Sequence, residues 1–212
     1  VTGDIKVVEK GDCDKIFINT AGIGLLPKRE HPSGDRVMVG DKIIINGTLG
    51  DHGIVVLTAR GELDLKVNLK SDVSPLNHTV SKMLKRSKRI HCFRDLTRGG
   101  LAAVLNEIAN QSDVGIIIYE DQIPLKKEVK GACEILGFDP LHLANEGKFV
   151  CFVGKEDAED VLSTIRKDKY GKESTIIGEV VSVNKRLVLL KTIIGGKRIV
   201  DMPLGEELPR IC

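Results

Sequence analysis

The chain has 212 residues, of which 42% are hydrophobic and 29% charged, and its formal net charge is +2. This composition is typical of a folded globular protein and excludes an intrinsically disordered chain. The small net charge, the low aromatic content of 3% and the absence of Trp argue against a nucleic-acid-binding surface. No apolar run has the length of a membrane span, so we expect neither nucleic acid nor membrane among the partners.

The first elements are two predicted strands at residues 5–9 and 15–20, which are rich in Val and Ile. A segment rich in Gly and Pro follows at 22–40 and is the best candidate for a domain boundary. Because Val1 opens what resembles an interior strand rather than a start, we expect an N-terminal part to be missing.

Residues 36–46 form a second apolar stretch, interrupted midway by a Gly-Asp turn and followed by GTLGDHG. The next segment, 54–59, is ambiguous. Its β-branched residues favour a strand, whereas Asp51 as a possible N-cap favours a helix. We prefer the helix.

Four later segments carry apolar residues at helical spacing. They are Val80, Met83 and Leu84; Leu101, Val104, Leu105 and Ile108; Val129, Ala132, Cys133 and Leu136; and Ala158, Val161, Leu162 and Ile165. Strand-like runs lie between and after them at 115–119, 149–153, 175–183, 187–192 and 198–200. Since strands and helices interleave, the predicted class is α+β, or α/β, with a layered sheet.

The cysteines are scattered, and no C-x-x-C pair occurs among them. They are Cys13, Cys92, Cys133, Cys151 and Cys212. This spacing fits neither a disulfide framework nor a zinc site, so we expect a cytoplasmic protein with reduced thiols and four core-filling cysteines. Cys212 differs because it is the last residue of a tail, 205–212, that shows no periodicity. It is either a thiol on a mobile tether or a frayed end.

The segment RDLTRGGLAAVLNEIA, 94–109, places Asp95, Thr97, Gly99 and Gly100 just before an amphipathic helix. A helix N-terminus preceded by glycines binds phosphate groups, and Asp95 is a candidate ligand for Mg²⁺ shared with such phosphates. The structural alternative is a helix capped by Asp or Thr, with the glycines forming a turn.

Two further segments contain candidate catalytic groups. ANEGK, 144–148, presents Glu146 either as a general base or as a solvated residue of a tight turn. Lys6 either neutralises phosphate charge or is a solvated residue on a strand. His52 in GDHG is read as a turn or capping histidine.

In combination, these motifs resemble the HypE family of hydrogenase maturation proteins. GD-x-KVV, GTLGDHG, RDLTRGGLAAVLNEIA, LANEGK and a terminal PRIC occur here in the order of that family, and the resemblance covers essentially the whole chain. The wider superfamily includes aminoimidazole ribonucleotide synthetase and selenophosphate synthetase. The resemblance implies the C-terminal α+β domain of an aminoimidazole ribonucleotide synthetase-like fold at 36–204. It also implies a remnant of the N-terminal ATP-binding domain at 1–35 and a flexible tail at 205–212.

The resemblance also implies a reaction in which the protein is both enzyme and substrate. The carbamoyltransferase HypF places a carbamoyl group on the thiol of Cys212. ATP, with Mg²⁺, is then used to dehydrate the S-carboxamide to an S-thiocyanate. Its cyanide passes to iron on the HypC–HypD complex, for the Fe(CN)₂CO centre of [NiFe]-hydrogenases. A cytoplasmic homodimer is expected.

Residue roles follow from the same resemblance. The implied catalytic residues are Cys212, Lys6 and Glu146, with Glu146 the more natural proton acceptor. The implied nucleotide-binding residues are Gly3, Asp4, Asp95, Thr97, Gly99 and Gly100, with Asp95 also the metal ligand. Two alternatives remain: a non-catalytic carrier that presents Cys212 to partner proteins, and a synthetase acting on a diffusible small molecule.

Overall fold

The structure is a computed structural model that describes residues 23, 25, 31–61 and 68–202. Pro32–Cys212 form one compact unit, and Val1–His31 form another. Several predicted features lie outside the described residues, namely the strands at 5–9 and 15–20, Gly3, Asp4, Lys6, Cys13, the tail at 205–212 and its Cys212. The predicted domain limits at 35 and 204 stay predictions.

The described residues form seven strands and five α-helices. The strands are β1 (Lys42–Ile45), β2 (Ile90–Asp95), β3 (Gly115–Tyr119), β4 (Phe149–Val153), β5 (Thr175–Val181), β6 (Val188–Lys191) and β7 (Lys197–Ile199). The helices are α1 (Asp51–Ala59), α2 (Asn77–Arg86), α3 (Gly100–Gln111), α4 (Lys127–Leu136) and α5 (Ala158–Arg166). Short 3₁₀ turns lie at Gly34–Arg36, Glu120–Gln122, Pro140–His142 and Lys155–Asp157.

The strands form one mixed sheet in the order β2-β4-β1-β5-β3-β6-β7. Among the described strands every neighbouring pair is antiparallel except β3 and β6, which run parallel. Helix α3 packs on one face of the sheet, and α2 and α5 pack on the other. Helices α1 and α4 pack against each other in a smaller apolar cluster. The layered α+β class predicted from the sequence is confirmed.

The central strands are buried on both faces, which explains their sequences. In β1, Ile43 and Ile45 face α3, whereas Ile44 faces α2 and α5. All five residues of β4 are buried, with sequence FVCFV. A strand covered on both faces has no solvent side and therefore has a continuous apolar run instead of an alternating one.

Most of the predicted elements agree with the structure, with three differences. The helix preferred at 54–59 is confirmed as α1, but Gly50 and not Asp51 is its N-cap residue. In α2 the predicted apolar face is partly wrong, because Leu84 is 38% exposed. Strand β2 was not predicted, although its apolar residues Ile90 and Cys92 are buried at strand spacing.

Asp157 links the start of α5 to the connection between α2 and β2. Its Oδ2 accepts hydrogen bonds from Ser87 Oγ at 2.6 Å and Arg89 Nε at 3.1 Å, and its Oδ1 accepts one from Arg89 Nη2. The hydrogen bonds from Arg89 and then from Ser87 lower the pKa of Asp157 to about 2. A carboxyl whose pKa is lower in the folded state stabilises the fold above its unfolded-state pKa of about 3.9.

We expect Asp157→Asn to lower the free energy of unfolding at pH 7 by about 1–2 kcal/mol, since the pair is partly screened by solvent. The difference from the wild type should shrink as the pH falls from about 5 towards 2, because Asp157 then becomes protonated. Urea denaturation at pH 7 and pH 3 measures both effects. Glu134→Gln, at an exposed position of α4, is the matched control. An unchanged difference at pH 3 would contradict this account.

Candidate functional site

Two of the sequence motifs meet at one edge of the sheet. Strand β2 ends at Asp95, and β4 begins just after the loop 144–148. Because β2 and β4 are antiparallel neighbours, with Asp95 opposite Phe149, the end of one lies beside the start of the other. The loop carrying Glu146 therefore lies beside the segment carrying Asp95.

Asn145 holds this junction together. Its Nδ2 donates to the carbonyl oxygens of Leu96 at 3.1 Å and Leu143 at 2.9 Å. Its Oδ1 accepts from the backbone N–H of Gly50 at 2.8 Å. The residue is 1% exposed, so these bonds have no competition from bulk water. One buried amide thus connects GTLGDHG, the end of β2 and the loop of Glu146.

The glycine pair at 99–100 lets α3 approach the same junction. Gly99 is the N-cap residue of α3 with φ 74° and no side-chain cap, so the alternative of an Asp or Thr cap is wrong. Thr97 instead donates its hydroxyl to Asp95 Oδ2 at 2.7 Å. A Cβ on Gly100 would lie 2.5 Å from the carbonyl oxygen of Leu141. Gly100 therefore has a packing role, and its nucleotide-binding role stays a prediction.

Glu146 is half-buried, and its backbone N–H donates to Asp72 Oδ1 at 3.1 Å. Burial raises the pKa of its carboxyl above the usual value. The charges of Asp72 and Asp95 raise that pKa further, whereas His52 lowers it. The site therefore brings together Glu146 and Asp95, which the motifs predicted. It also contains Asp72, which they missed, and His52, which was read as a turn residue.

His52 lies in the first turn of α1 with Nδ1 2.9 Å from Ser71 Oγ, next to Asp72. An imidazolium near a carboxyl favours the ionised carboxylate. We expect His52→Gln to raise the pKa of Glu146, because only the burial and the two aspartates then act on it. A carbon-13 NMR titration of the glutamate carboxyls measures the change. His78→Gln, at an exposed position of α2, should leave that pKa where it is, and an equal shift in both variants would contradict the assignment.

Gly147 is a point of close contact between two segments. Its carbonyl oxygen accepts from Asn46 Nδ2 at 3.1 Å and from Ser74 Oγ at 3.3 Å. A Cβ at Gly147 would lie 1.9 Å from the carbonyl oxygen of Asp72. Only glycine therefore allows the segment 72–74 to lie against the loop of Glu146.

The described residues contain no cluster of three or more His, Cys, Asp or Glu side chains able to hold a metal ion by themselves. Mg²⁺ that is shared with substrate phosphates needs only one or two protein carboxylates. Asp95 is exposed at the open edge of the site and has the donor type for that role. The site thus combines a half-buried carboxyl that retains its proton to higher pH with an accessible carboxylate beside it.

The cysteines within the described part behave as core residues. Cys92, Cys133 and Cys151 are buried free thiols, and burial raises the pKa of all three, to about 11 for Cys92 and Cys133. The prediction of core-filling cysteines is confirmed for these three. Over the same residues, none of the helices has both the length and the apolar character needed to span a bilayer.

Residues 38–189 match the family described as AIR synthase related protein, C-terminal domain. That match covers more than half of the chain, and the chain belongs to this family.

Within the family, the chain is similar to HypE proteins. It is 46% identical over 212 residues to carbamoyl dehydratase HypE of Rhodobacter capsulatus, covering all of this chain and 62% of that protein. A crystal structure of the hydrogenase maturation protein HypE in complex with ATP aligns with a TM-score of 0.80 at 42% identity. That alignment covers 85% of this chain and 55% of the chain in the ATP complex. A crystal structure of a HypE–HypF complex aligns with a TM-score of 0.77 at 47% identity. That alignment covers 81% of this chain and 55% of the chain in the complex. The chain thus spans about three fifths of its curated relative's length.

Proposed function

We propose that this chain is the C-terminal part of an ATP-dependent carbamoyl dehydratase of [NiFe]-hydrogenase maturation. Its substrate would be the S-carboxamide carried by its own terminal thiol, on Cys212, and its product the S-thiocyanate. The observation that carries the proposal is a half-buried Glu146 of raised pKa beside Asp95, in a chain 46% identical to a carbamoyl dehydratase.

The chemistry requires a good leaving group and a base. An amide oxygen leaves poorly, so bound ATP supplies the phosphoryl group that converts it into a leaving group, with Mg²⁺ held by Asp95. The amide nitrogen loses two protons in total: one is released to solvent when the oxygen is phosphorylated, and Glu146 takes the other as the C–O bond breaks, phosphate leaves and the C≡N bond forms. Overall, the carboxamide loses one water while ATP is converted to ADP and phosphate.

The environment of Glu146 suits this role. A base works best when its pKa lies near the working pH, and burial together with the charges of Asp72 and Asp95 raises the pKa of Glu146 in that direction. The backbone bond to Asp72 Oδ1 and the neighbouring Asn145 fix the loop that carries it. A base held in this way keeps its geometry while the substrate enters the site.

The remaining roles belong to the same proposal. Lys6 would stabilise charge on the oxygen that is phosphorylated, and Gly3, Asp4, Thr97, Gly99 and Gly100 would contribute to nucleotide binding. HypF would load the carbamoyl group, and the HypC–HypD complex would receive the cyanide. A cytoplasmic homodimer would be the working unit.

The test is intact mass spectrometry of the complete gene product after carbamoylation of Cys212. We expect an ATP-dependent loss of the mass of one water, and none without ATP or with a non-hydrolysable analogue. Failure to lose water with ATP present would overturn the proposal. Unchanged turnover by Cys212→Ala would instead favour a synthetase that acts on a diffusible molecule.

A second candidate is a carrier that presents Cys212 without catalysing the reaction, because the chain spans only 62% of its relative. Equilibrium nucleotide binding by the 212-residue chain separates the two. If the 212-residue chain binds its partner proteins but no nucleotide, the result favours the carrier function for this chain by itself.

A further inference from the structure

A cavity lies next to the loop 144–148. Lys148 is part of its lining, and Glu146 is not. Its volume is about 420 Å³, which is within the range of small-molecule sites. Five lysines line it, namely Lys70, Lys126, Lys148, Lys169 and Lys172. The acidic residues of the lining are Asp51, Asp72 and Glu173, so cationic groups are in excess.

Over the part of the chain that the structure describes, one of these lysines has a short bond to a carboxylate of the cavity. Lys126 Nζ donates to Asp51 Oδ2 at 2.6 Å. Among the described residues neither Lys70 nor Lys172, both exposed, has an ion-pair partner. The ammonium of Lys169 lies 5.0 Å from the centroid of the Tyr170 ring, a contact that holds it at the cavity.

Lys148 is the strongest indication of a ligand. Its side chain is 13% exposed, and within the described residues the one carboxylate oxygen within reach of Nζ is Asp72 Oδ2, at 4.0 Å. That separation is too long for a hydrogen bond. The Asp72 side chain is itself 1% exposed, and its Oδ2 has no hydrogen-bond partner among the described residues. Removing an ammonium group from water is costly unless it is closely paired.

The backbone leaves room for this ammonium. A Cβ on Gly47 would lie 3.1 Å from Lys148 Nζ, so the ammonium lies directly against the loop that precedes α1. The ammonium is thus placed against this loop, and with 13% of its side chain exposed Lys148 is not extended into solvent. A cation fixed in this way is ready to meet an anion without first losing much rotamer freedom.

We propose that this cavity binds a phosphate-type anion, either free or as the phosphate groups of a larger ligand. Lysines bind phosphate as point charges. Lysines without an ion-pair partner in the described part of the chain suit a multiply charged anion better than a single carboxylate. The cavity adjoins the site of Glu146 and shares Asp72 with it, but the proposal does not rest on the catalytic role given to Glu146. Its residues Lys148 and Lys172 are assigned no part in the dehydration.

The test is isothermal titration calorimetry of the 212-residue chain with pyrophosphate, at low and at physiological salt. We expect saturable binding at one site per chain that weakens as salt is added. Lys148→Gln should weaken binding about tenfold, the loss of one charge-assisted hydrogen bond, and exposed Lys172→Gln about threefold through lost charge. Lys197→Gln, at an exposed position of β7 at the opposite edge of the sheet from β2, lies outside the lining of the cavity; it is the matched control and should change affinity less than about twofold.

Two outcomes would overturn the proposal. The first is no saturable binding of pyrophosphate; the second is an equal loss of affinity in the Lys148, Lys172 and Lys197 variants, which would indicate non-specific charge attraction. Lys172→Gln keeps the test decisive if Lys148→Gln does not fold. ATP that displaces pyrophosphate would identify nucleotide phosphates as the source of the anion. ATP that does not displace it would identify a free phosphate ion. Either result supports the site.

Discussion

Glu146→Gln is expected to slow dehydration of the S-carboxamide by roughly 10²- to 10⁴-fold, the usual contribution of a general base. Glutamine has nearly the same shape and keeps the backbone bond to Asp72 Oδ1, but its amide cannot accept the proton. The measurement is a time course of water loss by intact mass spectrometry, with the complete gene product, carbamoylated Cys212 and saturating ATP.

The pH dependence gives this prediction a second readout. Burial raises the pKa of Glu146, so the wild-type rate should rise with pH as the carboxylate forms, and the residual rate of Glu146→Gln should lack that rise. Glu128→Gln, at an exposed position of α4, is the control and should behave as wild type. A Glu146→Gln rate within about twofold of wild type would exclude Glu146 as the base.

Asn145→Ala is expected to lower the free energy of unfolding by about 2–4 kcal/mol, because several buried polar groups lose their partner at once. The N–H of Gly50 and the carbonyl oxygens of Leu96 and Leu143 all bond to this side chain. Urea denaturation of the 212-residue chain measures the change. Dehydration should slow as well, since the residue next to Glu146 no longer connects the loop to its neighbours.

Asn110→Ala is the matched control for Asn145→Ala. Its Nδ2 makes one described hydrogen bond, to the carbonyl oxygen of Asn106 within α3, and the residue is exposed. Loss of this hydrogen bond should lower the free energy of unfolding by less than about 1 kcal/mol. If both variants lost the same stability, Asn145 would have no special part in holding the junction.

The elements that the sequence predicted well are those with a strong periodic or continuous pattern. Strand β4 has an unbroken apolar run, and α3 and α5 have apolar residues at regular helical spacing that the structure buries. Strand β2 was missed because the polar residues His91, Arg94 and Asp95 interrupt its short apolar pattern. Strand order could not be predicted, because it depends on pairings between distant segments that no local pattern encodes.

The candidate functional site shows the same difference between what a local motif indicates and what depends on contacts between distant segments. Glu146 and Asp95 lie in recognisable motifs, so each was found alone, but their meeting depends on the pairing of β2 with β4. Asp72 was missed because its segment has no motif, and only the close contact at Gly147 brings it to Glu146. His52 was noticed in GDHG, yet its effect on Glu146 arises from tertiary structure alone.

The position of β1 in the sheet has a consequence for how the molecule forms. This strand lies between β4 and β5, with Ile45 opposite Val150 and Ile43 opposite Gly178. During synthesis its isoleucines therefore leave the ribosome long before either partner strand exists. Pairings so distant along the chain slow folding and leave apolar surface exposed to aggregation. The buried centre of the sheet is thus also apolar chain that stays unpaired until most of the domain has been synthesised.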